Sequence, residues 1–386
     1  MSTLTKDARR SALVLAFGLM LLHMPSGLPA PLYPVYQATL GITAATVSML
    51  FATYVLGTLV GLMVMPRIVH HRYVLVWACV LSIAADVMFL YANGAFALFA
   101  GHLVQGVVLG VFTGAVPVLL AQLDLSNVNK TVGRFTTSAN AVGLAAGPLW
   151  SGLLLEFAPW KGQLVWVVQI VATLAVMPFM RVPAGLSAGA GDQAPIGSVV
   201  KSMLSGVPGR IALLTGFCAF ASGGLLASLG SVVLESIVGV RSGGVQGFLV
   251  ALCFILSAIF GAVHLKRSDL GVTGFGLVFN AVGSLALVGG VVFSSIWFIV
   301  AAAVLCGIGQ GFGLQGATQL VAVHADDASR GKAISLFFIW CYLGTTIASF
   351  GVGGLITLVG LGAAFNGFAA FVAVLSLFGL LWGRSR

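Results

Sequence analysis

A chain of 386 residues that is 59% hydrophobic and 7% charged falls far below the roughly 25% charge usual for a soluble domain. With a mean hydropathy of +1.10, its apolar surface exceeds what any water-exposed fold could bury, so the solvent must be lipid and the class all-α polytopic membrane protein. The net charge of +9 does not imply nucleic acid, because the basic residues are scattered over short loops instead of sharing one face.

In chain order, a basic tail with Lys6, Arg9 and Arg10 leads into an apolar run from about Ser11. No small-residue cleavage site follows, so the run reads as a first span and not a signal peptide. Its far end, Pro25 to Pro34, holds Pro25, Pro29, Pro31 and Pro34. A helix loses donors at such positions, so it should be broken there, with Tyr33 and Tyr36 suited to the membrane interface. Further spans are expected near 43–65, 73–91, 95–123, 139–157 and 164–180. A polar connection near 181–210 follows, then six more apolar runs near 211–234, 245–264, 271–293, 296–322, 333–358 and 362–382. Each is about 20 residues, the length that crosses a bilayer. The expected organisation is 1–180 as one six-helix half, 181–210 as the joining loop and 211–386 as the second half.

With the N-terminus in the cytoplasm, 16 of the 18 Lys and Arg residues fall in cytoplasmic segments; only Lys161 and Arg241 do not. The excess of basic residues on one side sets orientation, so both termini are expected to be cytoplasmic. The five cysteines, Cys79, Cys218, Cys253, Cys306 and Cys341, lie in apolar runs. Their odd number and spacing fit neither a disulfide framework nor a metal site, and they read as small packing residues. No phosphate-cradling loop is present, so no cofactor and no direct use of ATP is expected.

The fifth run holds Gly143, Gly147 and Ser151 at intervals of four, with Pro148 and Gly152 between and beyond them. Small residues at that spacing share one helix face and admit a second backbone, while Pro148 weakens the helix. A faint repeat also shows. Gln105-Gly106 with Thr113 recurs 205 positions on as Gln310-Gly311 with Thr318. Asp124, Lys130 and Arg134 follow the first copy; Asp326, Asp327, Arg330 and Lys332 follow the second. Parallel six-helix repeats joined by a cytoplasmic loop are one known transporter plan.

On these residues the chain resembles the major facilitator superfamily over nearly its whole length. The stretch Gly143 to Gly152 resembles the family's fifth-helix motif, glycine-x-x-x-glycine-proline-x-x-x-glycine, associated with proton-driven exporters of drugs and metabolites. Asp327-Ala-Ser-Arg330-Gly331-Lys332 resembles the loop before the eleventh helix. Two departures stand out. The loop Met65 to Arg72 lacks the acid that the family usually carries there, which puts its gating ion pair in doubt. His102 stands where the family often has an arginine, three residues before Gln105-Gly106.

His102, Gln105, Thr113 and Pro117 share the polar stripe of the fourth span, and polar groups avoid lipid. Asp86 is the one acid well inside a span. It lies seven residues before Asn93-Gly94, and His102 lies eight after Gly94, so both sit about 11 Å deep. An Asp86–His102 pair is therefore expected to carry protons, since membrane acids are functional candidates and imidazole titrates near pH 6.5; a neutral histidine hydrogen-bonded to a neighbouring helix is the alternative. His23 is a third, weaker candidate. Glu156, Glu235 and Arg241 are read as solvated external groups.

The resemblance further implies a central cavity between the halves, to which Met24, Gln105, Thr113, Phe217, Phe220, Gln315 and Thr318 are assigned. Such a lining suits a bulky, partly apolar organic substrate. The expected protein is a monomeric exporter in a bacterial inner membrane, trading a small molecule for protons and binding no nucleic acid. A proton-coupled importer of the same fold is the first alternative. A membrane-embedded enzyme is the second, for which Asp86 with His102 is too thin a set of groups. The topology makes a direct prediction: a thiol introduced by Asp192→Cys is labelled by an impermeant reagent only after the cytoplasmic side is opened. Labelling from outside intact cells overturns it.

Overall fold

The computed structural model describes residues 6–68, 71–122, 128–160, 162–180, 195–263, 265–325 and 329–384. Asp124, Lys161, Arg181, Asp192, Asp326 and Asp327 lie outside these, as do the side chains of Lys130 and Arg134.

The described residues are helical throughout and contain no strand. This follows from the solvent: in hydrocarbon a backbone must satisfy its own polar groups, and a helix does so within one segment. Among the described residues nine stretches are long and apolar enough to span a membrane, and Val74–Leu90 and Gln163–Phe179 are shorter apolar helices. With the helix Val128–Phe157 they make twelve, in the order the apolar runs predict. The first half holds α1 (Lys6–His23), α2 (Tyr33–Leu40), α3 (Ala44–Ile68), α4 (Val74–Leu90), α5 (Ala95–Gln122), α6 (Val128–Phe157) and α7 (Gln163–Val176). A short α8 (Ile196–Ser205) precedes α9 (Val207–Val233), α10 (Gly243–Ala262), α11 (Asp269–Val292), α12 (Ile296–His324), α13 (Arg330–Val359) and α14 (Leu361–Arg384). The polar connection thus contains a helix that its composition did not announce.

The proline-rich end of the first span breaks as expected. Between α1 and α2 the chain runs through two 3-10 turns, Met24–Ser26 and Ala30–Leu32, and α2 stops at Gly41 in the left-handed region (φ 66°). Tyr33 and Tyr36 do not reach the membrane interface: they are buried, 1% and 8% exposed. The 3-10 path folds them inward, and both hydroxyls find buried partners. Exposed aromatics flank the short turns instead, Tyr91 and Phe96, Phe157 and Trp160, Phe293 and Trp297, a placement that suits a membrane interface.

The chain forms two compact units, Met1–Ile42 with Thr53–Gly191, and Thr43–Ala52 with Asp192–Arg386. The first is centred on Leu15, Leu19, Leu22, Leu75, Phe112 and Leu119. In the second, Val199 and Met203 of α8 pack with Ala212, Val321, Phe337 and Cys341. Thr43–Ala52 is tied into that unit by Ser48, whose Oγ donates to the Ser349 carbonyl at 2.7 Å.

Glycine sets the spacing of both units. A Cβ added to Gly106 would strike the Tyr54 carbonyl oxygen and lie 2.9 Å from Gly57 Cα; one on Gly110 would strike Thr58 O and lie 2.8 Å from Gly61 Cα. The second Gln-Gly copy is packed the same way, with Gly311 against Ser257 O at 2.7 Å and Gly261 N at 2.8 Å. The repeat read from two dipeptides is therefore also a repeat of helix contact. On its other flank α12 meets α11 through Gly309 against Asn280 N (2.6 Å) and Gly316 against Thr273 N (2.7 Å). All five cysteines are buried and free; a Cβ at Gly283 would lie 2.7 Å from Cys306 Sγ.

Because Gly106 abuts backbone, which cannot rotate away, Gly106→Leu should cost about 1–3 kcal/mol. A clear drop in the thermal midpoint of detergent-purified protein, with a smaller drop for Gly106→Ala, is the expected result.

Candidate proton and substrate site

The short Asn93-Gly94 turn holds α4 and α5 side by side, which brings Asp86 and the polar stripe of α5 together. Asp86 Oδ1 accepts from Gln105 Nε2 at 2.9 Å, with both side chains buried. The anticipated direct contact with His102 is not among the hydrogen bonds of the described residues. Gln105 lies three residues beyond His102, on the same face of α5, and it is the glutamine that reaches the carboxylate. His102 Nε2 instead shares a 3.3 Å hydrogen bond with Tyr33 Oη.

Three atoms of this group have no hydrogen-bond partner among the described residues: Asp86 Oδ2, His102 Nδ1 and Gln105 Oε1. Ser82 Oγ, one turn before Asp86, has none either. Leaving a buried polar atom unpaired costs about 1–3 kcal/mol, so four such atoms on facing turns of α4 and α5 make this group a candidate site.

An aromatic wall encloses it. The Phe89 ring meets His102 edge-on at 4.9 Å and stacks on Trp166 at 4.3 Å. Trp166 Nε1 donates to Tyr36 Oη at 2.9 Å. Tyr33, Tyr36, Phe89 and Trp166 were not legible as site residues, although the two tyrosines among prolines were the available signal.

His23 belongs to a neighbouring contact. It is buried at the end of α1, and its Nδ1 lies 3.0 Å from Asn140 Oδ1 of α6. The fifth-span motif forms the rest of this seam. A Cβ on Gly143 would strike Met20 O and lie 2.7 Å from His23 Cβ. One on Gly147 would strike Met24 O, and one on Gly27 would lie 2.5 Å from Pro148 Cδ and 3.3 Å from Leu144 O. Leu144 O is the carbonyl that Pro148 cannot bond, four residues on. The helix continues through Pro148 to Phe157, and buried Ser151 donates to the Pro148 carbonyl at 3.3 Å. Gly152 is buried beside it.

The remaining assigned residues are dispersed. Met24 and Thr113 are half-buried in the first unit. In the second, half-buried Phe217 lies 6.2 Å from the Trp340 ring and Phe220 meets Tyr342 edge-on at 5.2 Å. Gln315 Nε2 donates to the Val263 carbonyl at the end of α10, and Thr318 is half-buried. Glu235, expected to be solvated, is instead half-buried in a π-helical turn and accepts from buried Gln246 at 3.2 Å. No group of three His, Cys, Asp or Glu able to hold a metal occurs among the described residues.

No family model matches the chain. Sugar transporter ERD6-like 6 of Arabidopsis thaliana is 24% identical over 186 residues, 45% of this chain. The match spans about a third (34%) of that relative's length. Solved structures match over nearly the full length at low identity. A bacterial homologue of the human lysosomal transporter Spinster aligns with a TM-score of 0.77 and 13% identity, covering 99% of this chain and 98% of that one. A variant of the nucleoside transporter NupG gives 0.76 and 12%, over 97% and 99%. A POT family transporter in complex with a thioalcohol-conjugated peptide gives 0.75 and 12%, over 97% and 96%. The fold is that of the major facilitator transporters: twelve membrane helices in two six-helix repeats. This chain has that fold, with apolar helices long enough to cross a membrane several times.

The α1–α6 seam yields a prediction. Gly147→Leu should insert in the membrane at normal levels and lose most transport, because the side chain has only the Met24 backbone to displace; Pro148→Ala should be milder. Unchanged transport by Gly147→Leu would remove any mechanical role for the seam.

Proposed function

We propose that the protein is a proton-driven exporter of a small, partly apolar organic molecule in a bacterial inner membrane, with both termini cytoplasmic. The carrying observation is the group of unpaired, buried polar atoms around Asp86, His102 and Gln105 within membrane helices. A carboxyl and an imidazole with no fixed counter-ion among the described residues can each gain or lose a proton as their surroundings alternate. His23, hydrogen-bonded across the α1–α6 seam, is the next proton carrier in order. Export as the direction is supported by the Gly143–Gly152 motif and by its close packing on the broken first span.

We assign substrate contact to Met24, Gln105 and Thr113 in the first half, 1–180, and to Phe217, Phe220, Gln315 and Thr318 in the second, 211–386. This set offers two amides, two hydroxyls, a thioether and aromatic faces and no fixed charge. Structural neighbours include a transporter in complex with a peptide conjugate and a nucleoside transporter, and such cargoes are organic molecules of this general kind.

Purified protein in liposomes under an imposed proton gradient provides the test, once a substrate has been found by comparing accumulation in cells with and without the gene. His102→Gln should still bind substrate and fail to move it uphill. Asp86→Asn should do the same, and the double variant should be no worse than either, because one coupled unit has been lost once. Full gradient-driven transport by both single variants relocates the proton site, and His23→Gln is then the variant to measure.

A further inference from the structure

Helix α8 carries more apolar surface than the protein covers. At 100° per residue, Val199, Met203, Ile196, Val200 and Leu204 form one continuous arc of about 140°. Val199 and Met203, on one side of that arc, are buried against α9, α12 and α13. Ile196, Val200 and Leu204, on the other, remain 60%, 38% and 46% exposed. The opposite side of the helix is polar, with Gly197, Ser198, Lys201 and Ser202 all exposed.

Charge identifies what lies on the uncovered side. Exposed Lys201 flanks the Val200–Leu204 edge. Arg210 folds back over the end of the helix, its Nε donating to the Leu204 carbonyl at 2.6 Å. No acidic residue occurs between Ile196 and Arg210. An apolar strip bordered by cations at one edge and a hydroxyl-rich face beyond it matches the boundary between acyl chains and phosphates.

We infer that α8 is an interfacial helix that docks on anionic lipid, with Ile196, Val200 and Leu204 among the upper acyl carbons and Lys201 and Arg210 at the phosphates. The inference rests on the cytoplasmic placement of the joining segment, where anionic lipids concentrate; labelling at position 192 tests that placement separately. Docking of this kind anchors the starts of α9 and α13 and the end of α12 to the membrane plane.

All five native cysteines are buried, so an added surface thiol is labelled selectively. Full-length Val200→Cys carrying an environment-sensitive fluorophore would be placed in phosphatidylcholine liposomes with and without phosphatidylglycerol. Lipids bearing a nitroxide near the headgroup, and aqueous iodide, serve as quenchers. The expected result is quenching by lipid in preference to iodide, with an association ratio of about 25-fold for phosphatidylglycerol over phosphatidylcholine, the equivalent of two cations at the surface. That ratio should fall to about fivefold when Lys201→Gln is added, the share left to Arg210. A label at Ser198→Cys, on the polar side, should be quenched by iodide. Iodide quenching at position 200, protection from both quenchers, or equal quenching by the two lipids each overturns the inference.

Discussion

Backbone-to-backbone contact at glycine is what the rest of this molecule depends on. Lipid offers no hydrophobic force to drive one apolar helix onto another, so association rests on close packing and a few interhelical hydrogen bonds. Gly57 and Gly61 against Gly106 and Gly110, and Gly311 against Gly261, bring main chains nearer than any side chain would allow. These contacts also fix the rotation of each helix about its axis. The rotation of α5 in turn decides that Gln105, and not a neighbour, faces Asp86.

The polar group that results is held in an unusual balance. Asp86 has one hydrogen bond, to an amide that carries no charge, and His102 has one, to a phenol. Among the described residues neither is neutralised by an ion pair, so neither is locked in one protonation state by its partner. Stacked Phe89 and Trp166 and the buried hydroxyls of Tyr33 and Tyr36 close the site with aromatic surface and leave few ways for polar groups to rearrange. Stability is given up here; the unpaired atoms of Asp86, His102, Gln105 and Ser82 are where it is given up.

Much of this was legible in the residues, and the boundary of legibility has a physical cause. Span positions follow from apolar length alone, and the break after His23 follows from four prolines, each lacking a donor. The four-residue spacing of Gly143 and Gly147 foretold a close backbone, which proved to be the Met20–Met24 stretch. What spacing does not give is the rotational setting of one helix against the next. Asp86 was expected to meet His102, yet the contact went to Gln105, one turn away. Tyr33 and Tyr36 went inward because a 3-10 path advances differently from an α-helix, a difference of geometry that composition does not register. Helix α8 escaped notice because ten residues with a lysine, a glycine and three serines resemble a loop until their apolar arc is counted.

The length of α13 has a geometric consequence of its own. Thirty residues, Arg330–Val359, make a rod of about 45 Å, whereas the hydrocarbon is about 30 Å thick. Fitting the whole rod inside would demand a tilt of nearly 50°, beyond the usual limit of about 40°. Part of the helix therefore stands clear of the oil. Its first turn carries Arg330 and Lys332, and Arg330 Nε already clasps the Ala322 carbonyl near the end of α12. The projecting stub is thus a charged spar joined to its neighbour, so a force applied to it from the aqueous side would pull two membrane helices at once.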